Sequence, residues 1–187
     1  MYTSMRLKLR ECNDEAAIQQ FLERTETGFL GLSADDVPYV VPLNFVWREK
    51  AIYFHGASEG RKADCMRTNA QGCFTISQSY GTLTSPIPAH IDTAYMSVML
   101  FGRLSTVDTL EESTAAMQAM IDKYMPGFYD HPLAAQHLDK YRSSLGSRTV
   151  VYKLTVESMS AKANALQEEL LFHPGMTLRE QVTKHDQ

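Results

Sequence analysis

Three short strand-like runs, separated by very short connections, limit the folds open to this chain more than any other feature. The runs occupy residues 29–33, 38–47 and 51–55. Residues 35–36 lie between the first two runs, and residues 48–50 lie between the last two. Connections this short join antiparallel strands as hairpins, whereas parallel strands need a crossover of about a dozen residues. The pattern therefore predicts an antiparallel meander.

The rest of the chain adds strands and peripheral helices to this meander. Asn13 is a capping residue for the first predicted helix, and Gly28 follows the end of that helix. The predicted helices occupy residues 14–24, 60–69 and 110–124, the further strands occupy residues 73–77, 94–107 and 149–156, and residues 79–90 read as a loop with Gly81, Pro86 and Pro88.

This element order indicates the fold class. The six predicted strands show no repeated strand–helix–strand rhythm, which favours a mainly β, six-stranded antiparallel barrel with peripheral α-helices over a doubly wound sheet. The 187 residues suit one domain. We expect residues 1–163 to form that domain and residues 164–187 to form a C-terminal tail that is helical or poorly ordered.

Composition argues against several classes of function. The 18 basic and 22 acidic residues give a net charge of −4, without the basic excess of a nucleic-acid binder. The most apolar run, residues 95–101, is shorter than the ~20 residues that span a membrane, and basic residues interrupt any apolar leader. Cys12, Cys65 and Cys73 form no Cys-x-x-Cys pair, which is typical of reduced cysteines. We therefore expect a soluble, cytoplasmic protein.

The common catalytic signatures are missing from the sequence. It contains no Gly-x-Ser-x-Gly elbow, no phosphate loop ending in Gly-Lys-Ser/Thr, no Gly-x-Gly-x-x-Gly and no His-Glu-x-x-His. His90 and Asp92 could share a strand face, and His131 and His137 lie six residues apart. Metal-capable residues scattered in this way occur by chance, so we expect no metal site.

A basic turn is the first informative segment for chemistry. A predicted strand ends at His55, small residues follow, and Arg61 and Lys62 fall in the first turn of the next helix. Cations at the positive end of a helix cost ~0.3–1 kcal/mol each, so an anion there, most naturally a phosphate, explains them. The alternative is a solvated basic turn whose charges meet Glu59 or Asp64.

The second informative segment is the run that contains Pro38, Pro42 and Asn44. Proline removes a donor from a strand, so two prolines four residues apart indicate an edge or bulged strand. Such a strand is either ordinary protection against aggregation or a place where free backbone groups meet a flat heteroaromatic ligand. Together, the edge strand and the basic turn suit a ligand with a planar polar ring and a phosphate.

Seven short segments resemble one known family. The sequence resembles the flavin-binding split-barrel proteins related to pyridoxamine 5′-phosphate oxidase, and most closely their nitroimidazole-resistance branch. The resemblance covers roughly residues 6 to 160. It is carried by residues 28–31, 37–45, 52–57, 60–62, 95–98, 101–103 and 123–126.

The resemblance implies a split barrel that forms a homodimer with FMN at the subunit interface. By this resemblance Arg61 and Lys62 hold the FMN phosphate, and His55 lies close to the ring as the candidate catalytic residue. It further implies that Ser77 reaches the phosphate or ribityl chain, that Tyr95 and Ser97 come from the second subunit, and that the ring is lined by Val41, Pro42, Leu43, Asn44 and Phe45.

The resemblance also implies a function, an FMN-dependent oxidoreductase that reduces a small aromatic or nitro compound. A pyridoxamine 5′-phosphate oxidase proper would need a second cationic cluster, for which only Arg103, Arg142 and Arg148 are candidates. The alternative is a non-catalytic flavin or haem binder, with His55, His90 or His131 as an axial ligand. A deazaflavin cofactor and an interaction module without cofactor also stay open.

Overall fold

The computed structural model describes residues 5–138, 140–142, 146–147 and 149–179. Its strands are β1 (Thr27–Ala34), β2 (Val37–Asn44), β3 (Val46–Arg48), β4 (Ala51–Ala57), β5 (Gln71–Leu83), β6 (Asp92–Thr106) and β7 (Thr149–Asn164). Its α-helices are α1 (Glu15–Arg24), α2 (Arg61–Thr68), α3 (Leu110–Tyr124) and α4 (Ala135–Leu138), and 3-10 turns occupy Lys8–Arg10, Pro88–His90 and Glu168–Leu170. No helix among these residues has the length and apolar character needed to cross a membrane.

The described strands form one antiparallel sheet in the order β2-β1-β5-β6-β7-β4-β3. The two edge strands, β2 and β3, are joined through the single residue Phe45. The sheet therefore curls until its two edge strands lie side by side. No hydrogen bonds between these described strands close it, and such an arrangement is a split barrel. The mainly β, antiparallel prediction is confirmed, but the count of six strands is wrong.

The seventh strand arises because the predicted run 38–47 is divided at Phe45. This side chain is fully buried in the core. Its backbone N–H donates to the Tyr124 hydroxyl at 2.8 Å, and its carbonyl accepts from Lys123 Nζ at 3.1 Å. Since side chains of α3 satisfy these backbone groups, the chain leaves one edge of the sheet at Phe45 and enters the other.

The backbone conformation of the turn residues defines the type of both predicted hairpins. Asp35 and Asp36 have φ values of 51° and 60°, and Glu49 and Lys50 have φ values of 51° and 58°. Positive φ at both central residues is the requirement of a two-residue type I′ turn, whose twist matches that of paired strands. The hairpins β1–β2 and β3–β4 are confirmed, and the second turn has two residues because Arg48 pairs with Ala51.

Five strands, β1, β4, β5, β6 and β7, are longer than the sequence predicts. β5 runs to Leu83, so the predicted loop 79–90 is wrong over its first five residues. Pairing with β6 continues there through a bulge at Gly81, whose φ is 128°. Leu83 also forms a bridge with Leu171, so the described part of the tail lies against the end of β5. Pairing across the sheet outweighs the local turn signal of Gly81.

Two apolar clusters hold the helices to the sheet. The main cluster fills the barrel, and α1 contributes Ile18, Phe21 and Leu22 to it. The smaller cluster packs α3 against the outside of β4 and β7. The N-cap of α1 is Asp14, whose carboxylate accepts from Ala17 N at 3.0 Å, so the prediction of Asn13 as the cap is wrong by one residue.

Candidate functional site

The basic turn lies where β4 passes into α2. Gly60 precedes the helix with a φ of 95°, a conformation that favours glycine, and no side chain caps the helix. The first helical hydrogen bond runs from Asp64 N to the Gly60 carbonyl at 3.0 Å. The N–H groups of Arg61, Lys62 and Ala63 therefore have no partner within the helix. Together with the helix dipole they favour an anion at this position.

Lys62 carries the charge that most needs a partner. Its side chain is half-buried, and Nζ lies 5.3 Å from the ring centroids of both Phe54 and Tyr152. Burial lowers the pKa of this ammonium group. Among the described residues, neither Glu59 nor Asp64 forms an ion pair with Lys62. The Asp64 carboxylate binds Arg67 instead. A half-buried cation without a carboxylate is stabilised by an anionic ligand.

Glycine at position 56 leaves room for this ammonium group. A Cβ atom built on Gly56 would lie 2.3 Å from Lys62 Nζ and 3.3 Å from its Cε. The lysine side chain therefore packs against the backbone of β4. No other residue type at position 56 allows Lys62 its present course, so the glycine positions the charge.

Arg61 connects the basic turn to the edge strand β2. The side chain is exposed, and its guanidinium carbon lies 4.6 Å from the centroid of the Tyr39 ring. Such a cation–π contact orients the guanidinium while its donors stay free. The structure therefore brings the basic turn and the proline-containing strand together.

His55 lies on β4, one residue before Gly56, and pairs with Val151 of β7. Its side chain is exposed at the surface of the turn. Desolvation by the surrounding protein lowers the pKa of the imidazole, and the charge of Lys62 lowers it further. The imidazole is therefore neutral at pH 7, with one nitrogen that donates and one that accepts a hydrogen bond.

β2 offers a free edge, because β1 is its single neighbour among the described strands. The side chains of Val40, Pro42 and Asn44 are exposed, whereas Val41 and Leu43 are half-buried against the core. Of the predicted ring-lining residues on β2, Pro42 and Asn44 are therefore the ones with exposed side chains at this edge.

Phe45 differs from the other residues that were assigned to the ring. Its side chain is fully buried, and Tyr124 and Lys123 occupy its backbone N–H and carbonyl. The structure therefore leaves Phe45 no free group for a ligand, and its role is to turn the chain at the end of β2.

Lys123 is a positioning residue whose role the sequence did not indicate. Its ammonium group donates to the carbonyls of Leu22, Thr25 and Phe45 at 3.2, 2.7 and 3.1 Å. Burial lowers the pKa of Lys123 to about 8, although the nearby carboxylates of α1 and the segment after it oppose this shift. Lys123 thus ties the C-terminal end of α1 to the end of β2, which fixes the free edge of the sheet.

Ser77, Tyr95 and Ser97 lie at a distant part of the sheet. Ser77 pairs with Ser97, and Tyr95 pairs with Ser79. His55 lies level with the C-terminal end of β6. Its neighbour Phe54 pairs with Tyr152, and Tyr152 in turn pairs with Thr106, the last residue of β6. Ser97 precedes Thr106 by nine residues, which is roughly 30 Å of strand. One chain therefore does not bring this group to His55, Arg61 and Lys62.

The remaining candidates are also placed, apart from Arg148, which lies outside the described residues. His90, Arg103, His131 and Arg142 are all exposed. No group of three or more His, Cys, Asp and Glu side chains that could hold a metal ion occurs in the described ranges.

Fold and site together define a split-barrel protein with a cationic helix N-terminus beside its free edge. Residues 14–163 match the model of the family described as pyridoxamine 5′-phosphate oxidase. The chain belongs to this family, as the sequence resemblance indicated. None of the curated proteins compared matches the sequence.

Solved structures show the same fold at low sequence identity. The flavocytochrome Anf3 from Azotobacter vinelandii matches with a TM-score of 0.72 and 21% identity over 96% of this chain and 78% of that one. The FAD and heme binding protein from Mycobacterium smegmatis gives 0.68 and 14% over 94% and 80%. A protein named for 5-nitroimidazole antibiotic resistance, from Bacteroides thetaiotaomicron, gives 0.62 and 22% over 81% and 85%.

Proposed function

We propose that this protein is a flavin-dependent oxidoreductase whose cofactor phosphate binds at the N-terminus of α2. The observation that carries the proposal is the half-buried Lys62, which has no carboxylate partner among the described residues and lies beside Arg61 and three free helical N–H groups. Membership of the family and the flavin named for two of the similar structures support it. The sequence resemblance favours FMN.

The free edge of β2 is the proposed place of the flavin ring. Pro38 and Pro42 lack an N–H group, so they fit where the backbone nitrogen faces away from β1. Backbone direction alternates along a strand, so the N–H groups of Val40 and Asn44 would also face outward. These groups and the Asn44 amide can meet the polar edge of a ring whose phosphate reaches Arg61.

The protein's contribution to the reaction is binding, orientation and protonation. A bound flavin supplies the electron transfer, and the protein positions it and excludes water. We assign His55 the task of orienting a small aromatic or nitro compound and delivering a proton to it. Its neutral imidazole beside Lys62 suits this role, because an anion bound at Lys62 would favour protonation of His55.

We further propose that two copies of this cytoplasmic chain complete the site. Phe29 and Met99 remain 44% and 39% exposed on one cross-strand row with Thr75, in the middle of the sheet. Exposed apolar residues on a central strand suit an interface. A second copy packed there could supply Ser77, Tyr95 and Ser97, which one chain does not bring to its own basic turn.

The test of the phosphate site compares FMN with riboflavin, which has the same ring without the phosphate. The apoprotein should bind FMN at least about thirtyfold more tightly, as expected from a charge-assisted contact worth ~2 kcal/mol. Arg61→Ala with Lys62→Ala should abolish this preference. Arg48→Ala with Lys50→Ala removes the same charge from the β3–β4 turn and should preserve it. Equal FMN affinity in the first double variant and the wild type would contradict the proposal.

A further inference from the structure

The loop that follows α3 carries an exposed apolar patch made of Met125, Phe128 and Tyr129. The two aromatic side chains are 71% and 55% exposed. Their rings meet edge to face, with centroids 5.0 Å apart. Single exposed apolar residues are ordinary on a protein surface, but a contiguous apolar patch indicates a binding surface. None of the three residues takes part in the flavin contacts proposed above.

Both ends of this loop are held to α3. The Phe128 N–H donates to the Met125 carbonyl at 3.1 Å, and Gly127 between them has a φ of 74°. A turn of this kind keeps its first and last Cα atoms within ~7 Å, so Phe128 stays beside the end of the helix. Farther along the loop, Leu133 N donates to Gln118 Oε1 at 2.7 Å. The loop therefore holds the aromatic pair at the surface.

The two strands on either side of the split meet at Asn44 and His55. Val46 of β3 pairs with Tyr53 of β4 in antiparallel register. Continued past the end of β3, this register brings Asn44 level with His55. Since β2 and β4 are not neighbours in the described sheet, a gap lies between these two residues. Both side chains are exposed, and both belong to the proposed flavin site.

The C-terminal end of α3 lies beside this gap. The Tyr124 hydroxyl bonds to the backbone of Phe45, directly after the end of β2. The body of α3 packs against Tyr53 and Val151 on the outer face of the sheet. Side chains alternate along a strand, and Val151 is the cross-strand partner of His55, so His55 lies on that same face. The loop that begins after Tyr124 therefore starts on the side of the sheet where His55 is exposed.

We propose that Phe128 and Tyr129 form the aromatic wall of the substrate site, on which a neutral, planar aromatic compound stacks at the gap between Asn44 and His55. This inference rests on the proposed function, because it requires the flavin and His55 to act at this gap. It names the substrate class of that site, which is a neutral aromatic ring rather than an aliphatic or anionic compound.

The chemistry of the loop favours this substrate class. Aromatic rings stack on other flat rings and gain more than their buried area alone contributes. The Tyr129 hydroxyl is also a donor for a nitro or carbonyl oxygen of the substrate. Residues 125–130 include no lysine or arginine, and Asp130 is exposed, so the loop disfavours an anionic substrate. The cations Arg61 and Lys62 belong to the proposed phosphate site.

Phe128→Ala combined with Tyr129→Ala tests the wall in the FMN-loaded protein. Binding of nitrobenzene to the oxidised protein is measured by the change in flavin absorption. Nitrocyclohexane, which carries the same nitro group on a puckered aliphatic ring, is the matched probe. The wild type should bind nitrobenzene at least about fivefold more tightly than nitrocyclohexane, and the double variant should lose this difference.

Two control variants separate the wall from a general effect of aromatic side chains. Phe128→Tyr combined with Tyr129→Phe keeps both rings and should keep the preference for nitrobenzene. Phe172→Ala removes an exposed aromatic ring from the described part of the tail and should also keep it. FMN affinity, thermal unfolding and the elution volume in size-exclusion chromatography should match the wild type in every variant.

The outcomes distinguish the wall from the flavin site. If the double variant keeps the preference for nitrobenzene, or if the wild type binds both probes equally tightly, the aromatic wall is overturned and the flavin site stands. A double variant that changes its oligomeric state and keeps its probe affinity would assign the pair to a contact between copies of this chain, which also overturns the wall. A protein that binds no FMN would overturn both the proposed function and this inference.

Discussion

Gly56→Ala tests the phosphate site through a residue that does not itself touch the ligand. The added methyl group would lie 2.3 Å from Lys62 Nζ and 3.3 Å from Lys62 Cε, and its nearest contact outside Lys62, with Tyr152 Cε2, is an ordinary 3.7 Å. The strand can therefore accept alanine, and the only atoms that must move belong to the flexible end of Lys62. Position 56 thus changes the placement of one charge with little change of the fold.

The size of the effect follows from these distances. Van der Waals contacts need ~3.5 Å or more, so Lys62 Nζ must move by about 1.2 Å or more. A charge-assisted hydrogen bond has its donor ~2.7–2.9 Å from the acceptor and does not survive this displacement. Its loss costs ~1.5–3 kcal/mol, which weakens phosphate-dependent binding about 10- to 150-fold. Riboflavin affinity should stay unchanged.

The assay is fluorescence titration of the apoprotein with FMN, FAD and riboflavin, together with urea unfolding. Gly31→Ala is the matched control, because its added Cβ would meet Cys73 O and Cβ at 3.4 and 3.9 Å. The control should keep the affinity of the wild type for all three flavins. If Gly56→Ala binds FMN and FAD as tightly as the control does, Lys62 does not hold the phosphate.

The further predictions concern three residues, Lys123, His55 and Asp14. Lys123→Met should lower the free energy of unfolding by ~2 kcal/mol, because three backbone carbonyls lose the hydrogen bonds that the Lys123 ammonium group donates. In the wild type the pKa of Lys123 is about 8 when folded and 10.5 in its ordinary state, so the unfolded chain holds an extra proton between these values. Stability should therefore rise with pH across this window in urea unfolding, and a slope that persists in Lys123→Met would contradict the assignment. His55 has a pKa below 6.5 when folded, so its contribution should lower stability as pH falls below that value. Inorganic phosphate bound at Lys62 should raise the pKa of His55 in an NMR titration. An unchanged pKa would contradict the electrostatic coupling between Lys62 and His55. Asp14→Ala should cost ~1 kcal/mol of unfolding free energy, whereas Asn13→Ala should cost almost nothing, and the reverse order would contradict the observed cap.

The sequence predicts well whatever depends on local chemistry. Both hairpins follow from the short connections between their strands, and α3 follows from its helical spacing and from Pro126 and Gly127 beyond its end. The cap of α1 is uncertain by one residue because Asn13 and Asp14 are equally good capping residues.

Features that depend on distant residues could not be predicted in this way. The bend at Phe45 has no local signal, since its partners Lys123 and Tyr124 are almost eighty residues away in sequence. Gly81 indicates a turn, but pairing with β6 keeps it in the strand. The basic turn was predicted from its charges, whereas the space that Gly56 leaves for Lys62 is visible only in three dimensions.

The most direct test of the central claim is the visible absorption spectrum of freshly purified protein, repeated on the small molecule that heat releases. We predict the double band of a flavin, in the protein and in the released fraction. A Soret band without flavin would instead support the haem-binding alternative. A colourless protein that takes up neither FMN nor FAD would contradict a flavin site at the N-terminus of α2.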